Sequence, residues 1–312
     1  MSIFGYSHGG RRRAPALIWV IVICATLIMK WNSPSNLYIR HINAGNKYYA
    51  GSQYDMAITE YNAALSARPN GYNALLVRGM AYFNLSQYRK AIADDTAALT
   101  TANTMSDFSS AYYNRGLCYE RLKDYPQAIN DYTEALRKTP NNRDALINRA
   151  DCFRMTGNAA GTVNDIDLYL KVYPPTYFAY DLRGDAHVHM KQWKDAVADL
   201  TCAVKINMSD GWGWGNLGWA QYMCGDVTPA IASDIKAVQL RPNMSAARFN
   251  LALCYAVRNN WQLAETTYKK AIQHANQADV KGALQDIEDG LHKMPDSQAL
   301  AEARKLVESA QK

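Results

Sequence analysis

No aspartate or glutamate occurs before Asp55. Six basic residues stand there instead: Arg11, Arg12, Arg13, Lys30, Arg40 and Lys47. From Asp55 onward, 28 basic residues meet 28 acidic ones. The body of the chain is therefore neutral and lacks the basic stripe that nucleic-acid binding needs. Proline is scarce, 10 in 312 residues, which favours helix. The six cysteines include no C-x-x-C pair, which removes the common zinc spacings. G-x-S-x-G, a phosphate loop and H-E-x-x-H are also missing, so no catalytic residue, metal or cofactor is assigned.

The positive charge belongs to the N-terminus. Residues 1–13 form a basic segment, and Ala14 to Met29 is an uncharged, mostly apolar run ending at Lys30-Trp31. As a helix the run would rise about 24 Å, or about 27 Å with Lys30 and Trp31. A bilayer core is about 30 Å thick. Lys30 can snorkel and Trp31 suits an interface. Residues 14–31 are thus expected to be an uncleaved transmembrane anchor, with the N-terminus cytoplasmic and the rest extracytoplasmic, periplasmic in a bacterium. A cleaved leader, giving a secreted protein, is the alternative, but Ile23 and the bulky Lys30-Trp31 make poor cleavage sites. Residues 32–37 form a linker.

A period governs the rest of the chain. Gly45, Gly79, Gly116, Ala150, Gly184, Gly218 and Ala252 recur at intervals of 34 residues, with one interval of 37. Twelve residues after each stands Ala57, Ala91, Ala128, Thr162, Ala196, Ala230 or Ala264. Seven further on come Ala64, Ala98, Ala135, Tyr169, Ala203, Ala237 and Ala271. Pro69, Pro140, Pro174 and Pro242 close four of the units. This pattern resembles the tetratricopeptide repeat, a helix–turn–helix unit. The resemblance covers about three quarters of the chain. It implies an all-α, right-handed superhelical solenoid over residues 38–276, preceded by the transmembrane helix. Its seven repeats lie near 38–71, 72–105, 109–142, 143–176, 177–210, 211–244 and 245–276. Residues 277–312 read as polar capping helices, which such arrays require.

Within the repeat, Arg78, Arg115, Arg149 and Arg183 are each followed sixteen residues later by Asp94, Asp131, Asp165 and Asp199. The other units lack both partners. Recurrence once per tile marks a structural ion pair between the two helices, not a catalytic one. Losing one partner of such a pair should cost more than the pair contributes. Cys118, Cys152 and Cys254 share one register position and read as small buried hydrophobes. Tyr48, Tyr82, Tyr119, Phe153 and Tyr255 share another and are expected in the core.

The family resemblance also implies a concave groove lined by first helices. Its sixth position is asparagine at Asn43, Asn114, Asn148, Asn216 and Asn250, similar to the amide ladders of importin-type solenoids. A primary amide offers two donors and an acceptor, enough to hold an extended backbone. Trp212, Trp219, Tyr222 and Phe249 are expected to form an aromatic end, and Asp151, Asp181 and Asp185 an acidic middle. His187 and His189 beside these aspartates would need ligands converging from a second element to hold a metal; Asp151 could supply one, but nothing in the sequence demands it. Ser110 and Tyr113 stand where a carboxylate-clamp co-chaperone would need lysines. The expected function is a membrane-anchored scaffold binding a partner protein segment and supporting a membrane or envelope complex, homo-oligomers included. A cytosol-facing organellar receptor or co-chaperone is the alternative.

Overall fold

The computed structural model describes residues 16–311. Among these, 17 α-helices and a closing 3₁₀ turn account for the regular structure, and there is no strand. The chain divides into two compact units, up to Asp124 and from Tyr125. The first holds α1 (Ala16–Trp31), α2 (Pro34–Ala50), α3 (Tyr54–Ala67), α4 (Tyr72–Asn84), α5 (Tyr88–Thr101) and α6 (Met105–Arg121). The second opens with α7 (Tyr125–Lys138), α8 (Arg143–Met155), α9 (Ala159–Val172), α10 (Tyr177–His189) and α11 (Trp193–Ile206). It continues through α12 (Gly211–Met223), α13 (Val227–Leu240), α14 (Ser245–Val257) and α15 (Trp261–Ile272), and ends with α16 (Gln277–Lys293) and α17 (Gln298–Glu308). Even-numbered helices from α2 are the first members of pairs.

Where the small residues recur, helices touch. A Cβ on Gly184 would stand 2.7 Å from Leu200 Cγ, and one on Gly45 would strike the Tyr61 ring. Sixteen residues after the seven small positions come Tyr61, Asp95, Tyr132, Ile166, Leu200, Asp234 and Tyr268. All seven are buried, and the Tyr, Ile and Leu members carry much of the core bulk. Tyr48, Tyr82, Tyr119, Phe153 and Tyr255 do not. They are half-buried, which corrects the expectation that they form the core. Tyr82 and Phe153 lie one helical turn after Arg78 and Arg149, close enough for each guanidinium to stack over its ring, at 5.9 and 5.7 Å. Cys118, Cys152 and Cys254 are buried, as expected.

The 37-residue interval carries three extra residues before Ser109, and they are absorbed as helix. Thr104 caps α6 reciprocally with Asp107, satisfying free N–H groups upstream of the register start. As a result α6 has 17 residues where α8 has 13. The turn within each pair puts one residue in the left-handed region: Ser52, Ser86, Lys123, Gly157, Lys191, Gly225 and Asn259. Glycine occupies it without steric cost, whereas a side chain there costs about 1–2 kcal/mol. Lys191→Gly is therefore expected to raise stability by up to about 1 kcal/mol, net of glycine's greater freedom in the unfolded chain. Urea denaturation checks it, and a loss of stability would refute it.

The expected transmembrane helix over 14–31 is not found as such. The described helix α1 is 16 residues long, and residues 14 and 15, like the basic segment 1–13, lie outside the described residues. Among the described residues, no helix is long and apolar enough to cross a membrane.

Candidate functional site

All five asparagines expected in the groove sit on first helices. In the first unit Asn43 on α2 is exposed and Asn114 on α6 half-buried. In the second, Asn148 on α8, Asn216 on α12 and Asn250 on α14 are half-buried. The side-chain amides of Asn43, Asn114, Asn216 and Asn250 take no hydrogen-bond partner from the described residues. An amide that folding leaves unpaired keeps its donors and acceptor for a bound chain.

The four aromatic residues do not form one cluster. Trp219 and Tyr222, one turn apart on α12, do meet, with ring centroids 5.6 Å apart and planes at 30°. Trp212, at the start of the same helix, is stacked by Arg241 at 5.4 Å instead. It walls a separate cavity of about 660 Å³ with Met244, Ser245 and His274. Phe249 is 5% exposed and packs on Tyr268 at 6.2 Å, so its ring belongs to the interior.

The acidic middle is tied together by a base that sequence reading passed over. Arg154 Nε donates to Asp151 Oδ1 at 2.9 Å. Asp181 is pushed up to about 6, chiefly by burial and then by Asp210 and Asp185, with Arg154 acting the other way. The Tyr177 hydroxyl donates to Asp210 at 2.7 Å. His187 Nδ1 is 2.7 Å from Gln192 Oε1, and His189 Nε2 is 3.7 Å from Asp185. Among the described residues no group of His, Cys, Asp and Glu is placed to hold a metal ion.

Models of the tetratricopeptide repeat match residues 42–108, 109–142 and 225–279, together half of the chain. The chain belongs to the tetratricopeptide repeat family. A segment of 110 residues is 31% identical to heat shock protein STI1 of Saccharomyces cerevisiae, covering 33% of this chain and 19% of that protein. The match thus spans less than a fifth of that relative's length. Among solved structures, a tetratricopeptide repeat protein from Parabacteroides merdae aligns over 87% of this chain and 99% of its own, with TM-score 0.54 and 17% identity. The C-terminal part of a repeat-containing protein from Cytophaga hutchinsonii covers 77% of this chain and 98% of its own, with TM-score 0.62 and 15% identity. MamA from Desulfovibrio magneticus covers 55% and 97%, with TM-score 0.52 and 22% identity. At these identities the likeness is one of fold.

Inside the tetratricopeptide repeats the arginine pairs form with two arms. Arg78 meets Asp94 through Nε at 2.8 Å and Nη2 at 2.6 Å. Arg149 meets Asp165 at 2.7 and 2.6 Å, and Arg183 meets Asp199 at 2.8 and 2.7 Å. Arg115 lies in the first unit and Asp131 in the second. The remaining arm was not anticipated. Nη1 of each arginine reaches the second helix of the preceding repeat: Arg78 to Asn62, Arg115 to Thr96, Arg149 to Thr133 and Arg183 to Asp167, at 2.6–3.0 Å. The guanidinium therefore joins its own hairpin to its neighbour. A sequence signal existed, because those four polar residues recur at 34, 37 and 34 positions.

Two further features escaped sequence reading. Asp95 and Asp234 occupy the core position that Tyr, Ile or Leu fills in other repeats, visible only once the Gly–core contact is known. Asp286 and Asp289 of α16 come up to the Trp219–Tyr222 pair and enclose a cavity with it. Nothing in the linear order of residues brings α16 back to α12.

Proposed function

We propose that this chain is a protein-binding scaffold whose first helices hold an extended segment of a partner protein by its backbone. The observation that carries the reading is the set of unpaired asparagine amides at one register position, Asn43 and Asn114 in one unit and Asn216 and Asn250 in the other. Membership of the tetratricopeptide repeat family supports it, as does the half-buried aromatic pair Trp219 and Tyr222, which walls a cavity. A membrane setting is a second element of the proposal. It is supported by the uncharged run 14–29 between Arg11–Arg13 and Lys30-Trp31, and by exposed Ile23, Leu27, Met29 and Trp31 on α1. In this reading α1 tethers the scaffold to a bilayer as a short segment that the membrane thins to meet.

One experiment tests both elements. Membranes washed with alkaline carbonate are crosslinked, and partners are captured with wild-type protein and with Asn114→Ala/Asn216→Ala/Asn250→Ala. The expected result is a partner lost at least tenfold in the variant, with helical content unchanged. Undiminished capture would remove the amides from recognition, and complete extraction of the chain by carbonate would remove the tether.

A further inference from the structure

Between α12 and α16 lies a cavity of about 300 Å³ walled by Trp219 and Tyr222 on one side and by Asp286 and Asp289 on the other. The two aromatic residues come from the repeat register. The two carboxylates come from the capping pair, three residues apart and so on one face of α16. Asp286 is half-buried, and its carboxylate takes no hydrogen bond or ion pair from the described residues. Asp289 is exposed and, among the described residues, accepts only from Gln285 Nε2, at 3.0 Å. Lys293 and His292 stand exposed at the rim, and neither forms an ion pair with the two acids.

An aromatic pair with ring planes 30° apart and two carboxylates without an ion pair among the described residues make complementary halves of one kind of site. The negative faces of the rings attract a cation, Trp most strongly. The carboxylates accept charge-assisted hydrogen bonds from ammonium or guanidinium. An anion would be repelled by both walls, and a purely apolar group would bury Asp286 without a partner. We propose that this cavity receives a cationic side chain, an arginine or a lysine, of the segment held by the first helices. The assignment rests on the groove reading above and adds to it the charge of one residue in the partner. The local electrostatics agree. Burial and the neighbouring Asp289 push Asp286 up to about 6. Burial, then Cys254 and these same two acids, push the Tyr222 hydroxyl up to about 12. A cation placed among them relieves that repulsion.

The test separates the cavity from the groove. The full chain is titrated with N-acetyl-arginine amide and with the isosteric, uncharged N-acetyl-citrulline amide, following the tryptophan indole N–H resonances. The same is done with a capped peptide that carries one arginine between two short runs of alanine. Arginine amide should bind at least tenfold more tightly than citrulline amide, shifting a resonance assigned by Trp219→Phe. The preference should vanish in Asp286→Asn/Asp289→Asn, whose helical content should match wild type. Equal binding of the two amides, or a preference that survives the double substitution, overturns the proposal. The longer peptide reports on the groove alone: a preference for arginine amide with no gain in affinity from the flanking residues would keep the cavity and remove the backbone-holding groove.

Discussion

Replacing Asp234 by leucine is expected to stabilise the protein by about 2–4 kcal/mol. Asp234 is fully buried, and neither of its carboxylate oxygens has a hydrogen-bond partner. Burial raises its pKa well above the usual carboxylate range. It fills the position that Leu200 fills one repeat earlier, and it abuts Gly218 as Leu200 abuts Gly184. The fold therefore already accommodates a leucine against a glycine in this register. The substitution removes an unsatisfied buried acid and adds apolar burial. For a protein of this size each kcal/mol corresponds to about 2–4 °C in Tm. A lower Tm for Asp234→Leu would show that the acid makes a contribution its surroundings do not reveal.

The same carboxylate sets a pH dependence opposite to the common one. Asp181 and Asp286, both raised to about 6, act in the same direction. Below these values the native state holds protons that the unfolded chain, with aspartates at about 3.9, has already released. Stability contributed by such groups therefore rises as pH falls and is lost as pH rises through about 6. The wild-type Tm should be higher at pH 5 than at pH 7.5, and the difference should shrink in Asp234→Leu. A wild-type Tm that falls on acidification over this range would refute the reading.

Cutting the Arg149–Asp165 pair on one side is expected to cost about 3–5 kcal/mol. Asp165→Ala leaves the guanidinium of Arg149, 16% exposed, with Thr133 as its one hydrogen-bond partner among the described residues, beside the stacked Phe153 ring. The pair itself is worth much less. Burial outweighs Arg149 at Asp165, so its pKa is raised and not lowered. The sixth repeat shows the neutral solution: Leu217 and Ser233 stand at the equivalent positions, and the Ser233 hydroxyl bonds Gln221 at 2.8 Å. Arg149→Leu/Asp165→Ser copies those two positions, with Phe153 standing where the sixth repeat has Gln221, and should recover about 2 kcal/mol or more of the single variant's loss. Urea denaturation of the three proteins completes the comparison. A double variant no more stable than Asp165→Ala would mean that the ladder stabilises as an intact ion pair.

The linear sequence was sufficient for whatever repeats. Small residues every 34 positions dictate where helices approach, so the helix pairs, the Arg78–Asp94, Arg149–Asp165 and Arg183–Asp199 partners and the buried cysteines could be read from spacing. The insertion before Ser109 could be located, though not its outcome as an extra turn of α6, which depended on the Thr104 cap. Tertiary structure decided what a single register position does when its neighbour changes. It took Phe249 into the interior, stacked Trp212 under Arg241 and left Trp219 and Tyr222 half-buried against the cluster that holds Phe249. It also moved the core bulk from the Tyr48 series to the Tyr61 series. Spacing says that two residues share a helix face. Only packing says whether that face meets solvent, the paired helix or the next repeat. For the same reason the approach of Asp286 and Asp289 to α12 was invisible in the chain: it joins two elements of different origin, a repeat and its cap, that no period relates.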